Sequence, residues 1–252
     1  MDPATYGITI TPTGLAGAAS TKYTTQVREH LQWIEGTKMG MNLLRSIRFH
    51  ATPVVIEPYT GADCNASGGS RTVGGVRNGH VSYSPDTFSL HGACPVNRTK
   101  PNRGMLWDEI LFHELVHVLR AVSGVFAKKP LQPGLYRYTN TEEFFAVVIT
   151  NVYVSDPTNR IKTGLRGEHR GFRGLDPAYG EPFAFFGAST QVFDLVKQFV
   201  GENHGFSTMV ANTKAKFNPI ADYYASPDRC AQASKNAVGS DLVGLTADLL
   251  GL

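Results

Sequence analysis

Apolar residues recur with a helical period between Thr25 and Ile47: Val27, Leu31 and Ile34 form one stripe, and Leu43, Leu44 and Ile47 another. Gly36-Thr37 divides the stretch, with Thr37 as the N-cap of the second piece, and Trp33 and Met39 read as core. Residues 105–122 contain no internal Gly or Pro after the first turn and are apolar at Leu106, Ile110, Leu111, Leu115, Val118, Leu119 and Val122. That pattern predicts a helix buried on most sides, with Asn102 as N-cap and Gly124 as its stop. A third helix is predicted from Thr141 to the residues before Asp156-Pro157, with Asn140 and Glu143 spaced as a capping box. Ser189 caps a fourth, running to about Val200 and stopped by Gly201.

Extended segments are fewer. Val54-Val55-Ile56-Glu57 lies between two prolines and His80 to Pro85 alternates, so each predicts a strand. The residues between them, 60–79, carry six glycines and read as a long turn or loop. Residues 1–22 are rich in Thr, Ala, Gly and Ser, which predicts a flexible terminus of the composition some export signals have. The simplest organisation is one α+β domain over 23–252, of which 186–252 is a helical part of unassigned role ending in a weakly amphipathic tail, Ser240–Leu250.

Composition narrows the class. Hydrophobic residues make up 42% and charged ones 18%, which suits a folded globular chain. Net charge is +3 and the basic residues are scattered, so no nucleic-acid module is indicated; the densest basic stretch, Arg160 to Arg173, reads as a solvated loop or a substrate-facing segment. No apolar run reaches membrane-span length, and Met1-Asp2-Pro3-Ala4 lacks the basic start and apolar core of a secretory signal peptide. Cys64, Cys94 and Cys230 have no metal-binding spacing; Cys64 and Cys94 could pair, but the odd count favours free thiols.

Chemistry concentrates in the buried helix, which contains His113-Glu114-Leu115-Val116-His117. Positions i and i+4 share one helix face, so both imidazoles point at one spot and can ligate zinc. Glu114 projects beside that spot as a general base toward the zinc-bound water. Buried polar side chains are costly without partners, which argues against three such groups serving mere packing.

A catalytic zinc needs a third protein ligand. The metzincin continuation is absent, because Arg120 and Ser123 stand where it requires Gly and His. Glu142 and Glu143 open an apolar helix 25 and 26 residues after His117, far enough for the chain to reverse. Glu143 is the preferred ligand, since Glu143-Phe144-Phe145-Ala146 fits the Glu-x-x-Ala pattern of glutamate-ligated zincins; Glu142 is the runner-up, and either glutamate could instead favour the helix N-terminus. His169, Asp156 and Asp108 are weaker alternatives.

Leu111 to Val118, the Glu142-Glu143 helix and Leu165-Arg166-Gly167-Glu168-His169 through Arg173 together resemble the NleD-like effector metalloproteases, zinc endopeptidases that bacteria inject into host cells. The similarity extends to Gly40–Leu44 and to the strand at His80, spanning roughly residues 25 to 180. The resemblance implies a zincin-like arrangement, with the active-site helix on a small twisted sheet and a second helix supplying the third ligand. It implies one zinc ion, a protein substrate with host signalling kinases as the family's known targets, export by a specialised bacterial system, and action in the target-cell cytosol. Arg166 and His169 become candidate catalytic residues that stabilise the oxyanion, with Arg173, Tyr138 and Tyr153 as alternatives; Arg166 could equally act from behind a ligand. By analogy with zinc peptidases, the His80–Pro85 strand is expected to pair with extended substrate. Other readings are a zinc-binding interaction module without catalysis and a zinc hydrolase of a non-peptide or cell-wall substrate.

Overall fold

The Thr37 hydroxyl accepts the Gly40 N–H at 2.9 Å, dividing the first apolar stretch into α1 (Gly17–Glu35) and α2 (Lys38–Phe49). The computed structural model describes residues 1–61, 63–88, 92, 94, 102–132, 135–160, 163–170 and 173–237. These hold eight helices and a four-stranded mixed sheet, an α+β architecture. The strands are β1 (Ile8–Ile10), β2 (Val54–Glu57), β3 (Ser67–Val73) and β4 (Val76–Ser82), in the order β1-β2-β4-β3. β1 and β4 run parallel to β2, and β3 is antiparallel to β4.

Two expectations change here. Residues 1–22 are not a flexible terminus. Ile8 is buried, β1 pairs with β2, and α1 begins at Gly17, because the apolar Ile8 and Ile10 alternate with Thr9 in a run that composition alone disguised. Residues 60–79 are not all loop: Gly74 and Gly75, at φ +57° and +81°, form the two-residue turn of a hairpin whose arms are β3 and β4. The strand through His80 is consequently internal, hydrogen-bonded to β2 on one side and β3 on the other, so it cannot pair with substrate. Among the described residues the edge strands are β1 and, on the side of β4, β3.

The glycines of this hairpin set how closely the sheet approaches α3 (Trp107–Val122), the helix carrying both motif histidines. A Cβ on Gly68 would lie 2.2 Å from the Glu114 carbonyl oxygen, and one on Gly79 2.8 Å from Val118 Cγ1. α3 starts later than predicted, because Gly104 at φ +68° turns the chain after Asn102; the first turn is closed instead by Glu109, whose carboxylate accepts the Leu106 N–H at 3.4 Å. Its far end stops as expected at Ser123, with Gly124 at φ +77°.

The start of α3 is held by the segment after β4 and by α1. Tyr83, after β4, donates its hydroxyl to the Trp107 carbonyl at 2.8 Å and accepts Tyr23 at its own carbonyl. With that proton committed, His30 Nδ1, 3.0 Å from the Tyr83 oxygen, must be the donor. The His30 ring also stacks on Trp107 at 4.2 Å.

α4 (Thr141–Ser155) packs on α3 and is buried throughout except at its end. Asn140 caps it, accepting the Glu142 and Glu143 N–H groups at 3.0 and 3.2 Å. α5 (Val192–Glu202) has Gln191 rather than Ser189 at its N-cap and no side-chain cap; the Ser189 hydroxyl instead accepts the Gln191 N–H at 3.4 Å in the turn before it, and the helix runs through Gly201. The part expected to be helical continues with α6 (His204–Ala211), α7 (Pro219–Ala225) and α8 (Pro227–Asn236); the predicted tail Ser240–Leu250 lies outside the described residues. Cys64 and Cys94 are joined in a disulfide, against the free-thiol expectation, because the hairpin between them folds its two flanks together; Cys230 is free and buried. Among the described residues no helix is long and apolar enough to cross a membrane.

Two outcomes follow from this packing. Gly68→Ala should lower unfolding stability by about 1–3 kcal/mol, whereas Gly69→Ala, which meets nothing within 4 Å, should cost far less; equal denaturant midpoints would show that the sheet yields freely. Burial pulls the His30 pKa from 6.5 down to about 4, so the unfolded chain binds a proton between those pH values that the folded chain refuses. Stability should therefore fall as pH drops through that window, by about 2 kcal/mol at pH 5 from this residue. His30→Gln should flatten the pH dependence by that amount relative to wild type in urea titrations.

Candidate metal centre

α3 presents His113, His117 and Arg120 at i, i+4 and i+7, one continuous stripe of a helix. The first turn of α4 answers it. Glu143 Oε2 lies 3.2 Å from His113 Nε2 and 3.1 Å from His117 Nε2. Glu142, about 100° further round its helix, is fully buried and paired with Arg120 through two hydrogen bonds of 2.7 and 2.9 Å. The structure thus separates the two candidate glutamates: Glu143 faces the histidines, and Glu142 faces the arginine.

The His113, His117 and Glu143 donor atoms all lie within 4.8 Å of one another, and all three residues are buried. The donor set suits a dication. Both Nδ1 atoms are buried with no hydrogen-bond partner. Neutral imidazoles must therefore either aim bare lone pairs at a carboxylate or leave an Nδ1 lone pair orphaned; a cation between the three atoms removes that conflict. Protonation in its absence is divided. Burial drives His113 down to about 3, while carboxylates around His117 outweigh burial and raise it. Burial opposes ionisation of Glu143, but hydrogen bonds from both imidazoles prevail and hold its carboxyl well below the usual range.

His169 joins from a different direction. Its Nε2 is also 3.1 Å from Glu143 Oε2, and its ring stacks on His113 at 5.8 Å. Its side chain is 26% exposed against 4% and 5% for His113 and His117, so it stands at the open side of the cluster. Thr139 Oγ1, 2.9 Å from Nδ1, orients the ring. Thr139 itself has φ +70°, a conformation that costs a β-branched residue about 1–3 kcal/mol. The His169 N–H donates to the Arg137 carbonyl at 3.0 Å, and Arg166 Nη2 donates to the His169 carbonyl.

Arg166 is 5% exposed, so it is not part of a solvated basic patch. Its backbone exchanges hydrogen bonds with the Asn151 side chain at 2.8 and 2.9 Å. Its side chain crosses Gly104, where a Cβ would sit 1.8 Å from Arg166 Cδ, and its Nε is buried without a partner. The weaker candidates are engaged elsewhere. Asp108 accepts the Tyr153 hydroxyl at 2.6 Å, Asp156 caps α2 through the Met39 N–H at 2.8 Å, and Arg173 is exposed, with its backbone N–H donating to Glu168.

These groups open onto a cleft of about 750 Å³ lined also by Ser67 and Gly68 of β3, the Cys64–Cys94 pair, Phe126, Lys128 and Arg170. Glu114 also lines it, to one side of the two histidines on α3, and burial pushes its carboxyl up to about 7. Thr139 and the wall residues Phe126 and Lys128 escaped sequence reasoning because they sit on connectors without periodicity. Arg120 had a readable signal, its place in the His113-His117 stripe.

Comparisons with curated proteins and with solved structures give no match. The model of the peptidase M91 family, described as effector protein, matches residues 11–158, a span containing His113, Glu114, His117 and Glu143 and covering more than half of the 252 residues. The chain therefore belongs to the peptidase M91 family of effector proteins.

Proposed function

We propose that the protein is a zinc endopeptidase that acts as an exported bacterial effector inside a target cell. The observation carrying this reading is the convergence of His113, His117 and Glu143 beside Glu114 in a cleft large enough for a peptide segment. His113, His117 and Glu143 would hold the metal, which when bound supplies Lewis acidity. The M91 membership supports peptide bonds as the substrate over cell-wall material, and Glu114 supports catalysis over a closed binding module.

The chain's own groups divide the work. Glu114 accepts the proton of the attacking water and delivers it to the leaving amine; its raised pKa suits both transfers near neutral pH. His169, at the open side and aimed by Thr139, is placed to donate a hydrogen bond to the oxyanion of the tetrahedral intermediate. Arg166 is a positioning residue that holds the His169 loop through its carbonyl. The outer edge of β3, unpaired among the described residues and with Ser67 and Gly68 lining the cleft, is the strand that would pair with extended substrate. A target-cell kinase as substrate is an expectation from the NleD-like resemblance, and a cleavage screen of host and bacterial lysates would identify the target.

Purified protein should carry one zinc per chain. Chelation should abolish proteolysis and zinc should restore it. Glu114→Gln should keep the metal and lose about 10²–10⁴-fold in kcat; absence of stoichiometric zinc, or full activity in that variant, would sink the reading. His169→Ala should retain zinc and lower kcat by about 10²–10³-fold with less change in KM; loss of zinc instead would make His169 a ligand.

A further inference from the structure

Among the described residues Arg120 is the largest fully buried side chain, and it lies one turn beyond His117 on the stripe facing α4. Its guanidinium grips Glu142 in a two-point fork. A second carboxylate reaches it from outside the family-matched span: Glu202, the last residue of α5, accepts from Nη2 at 2.8 Å, and Gln198 one turn earlier donates to Glu202 at 2.8 Å. The guanidinium plane is packed between Phe145 of α4, 4.4 Å away, and Phe199 of α5, 5.7 Å away.

We infer that Arg120, clamped between Glu142 and Glu202, is a positioning residue that sets the aim of Glu143, so that α5 belongs functionally to the metal centre. The inference rests on the zinc reading above. The physical link is rotation. Glu142 and Glu143 are consecutive in the first turn of α4, so fixing the direction of one fixes the azimuth of the other. Asn140 secures the backbone of that turn but not its rotation about the helix axis. The Arg120 fork supplies that restraint, and the Ala127 N–H, donating to Glu142 Oε1 at 2.7 Å, completes it. Because Arg120 stands on the same helix face as both histidines, the restraint is referred to the imidazoles themselves. Glu202 and the two aromatic rings keep the guanidinium from turning away.

Groups that orient metal ligands from behind typically change metal affinity by about 10–100-fold when lost. The test uses the full chain, with zinc affinity read by chelator competition and ligand geometry read from the visible spectrum of the cobalt(II)-substituted protein. Arg120→Lys keeps the charge but not the fork, and is expected to weaken zinc binding about 10–100-fold and alter the cobalt spectrum at saturation. Arg120→Met/Glu142→Gln, which leaves no buried unpaired charge, should fold and show the same defect. Glu202→Gln, at a partly exposed side chain, should weaken zinc by a smaller factor, about threefold to tenfold on the scale for such partners. A purely structural role would lower thermal stability while leaving affinity and the saturated spectrum at wild-type values. That result in the double variant overturns the positioning role, and wild-type affinity in Glu202→Gln overturns the part assigned to α5. Wild-type protein that binds no zinc overturns the function reading and this inference together, whereas normal wild-type binding with unmoved variants overturns the inference alone.

Discussion

The first turn of α4 against the His113-His117-Arg120 stripe of α3 is the constraint to which the rest of the molecule conforms. Four ionisable side chains and an arginine are buried there within two helical turns. Charges out of water are tolerated only when each meets a partner of good geometry. Arg120 meets Glu142 with two hydrogen bonds, and the two imidazoles meet Glu143. One helix therefore cannot slide or rotate against the other without exposing an unpaired charge to an apolar interior. Packing among Phe112, Tyr153 and their neighbours adds area to this contact, but aromatic rings tolerate small displacements that a two-point ion pair does not.

The sheet is shaped to accommodate that helix pair. Gly68 and Gly79 remove the side chains that would hold β3 and β4 away from α3, at the entropic cost glycine imposes on a strand. The compensation is local: β3 gains a tight turn at Gly74-Gly75 at one end and lies next to the Cys64–Cys94 link at the other. Close approach brings the backbone of β3 to the lip of the cleft, so the same glycines that let the helix pack also place the edge strand beside Glu114.

Much of this was legible in the chain. The two-piece α1–α2 stretch, the cap at Asn140 and the helix of the His113-x-x-x-His117 motif rest on local rules, periodicity and capping, that need no tertiary information. The preference for Glu143 over Glu142 came from the spacing to Ala146, and Glu143 is the glutamate that lies beside the two histidines. What escaped depends on contacts distant in sequence. Glycine in residues 60–79 signals turn by local propensity, yet at Gly68 its meaning is a 2.2 Å approach to Glu114 that no window of sequence contains. Ile8 and Ile10 look like an ordinary terminus until β2 is available to pair with them. The Cys64–Cys94 bond requires knowing that a hairpin lies between the two residues.

The span matched by the M91 family ends at residue 158, and the candidate metal donors His113, His117 and Glu143 all fall inside it. His169, Arg166 and Glu202 do not. His169 reaches Glu143 over the strained Thr139, and Glu202 reaches Arg120 past Phe199. The matched segment thus holds the donor atoms, while later segments supply the open-side imidazole and the carboxylate behind the second helix. Thr139 marks that junction: a β-branched residue is held at positive φ where a glycine would be free, and the hydroxyl it gains there orients His169. A glycine at this position would relieve the backbone and lose the ring's only side-chain partner on Nδ1 among the described residues, which is a physical reason for the strain to persist.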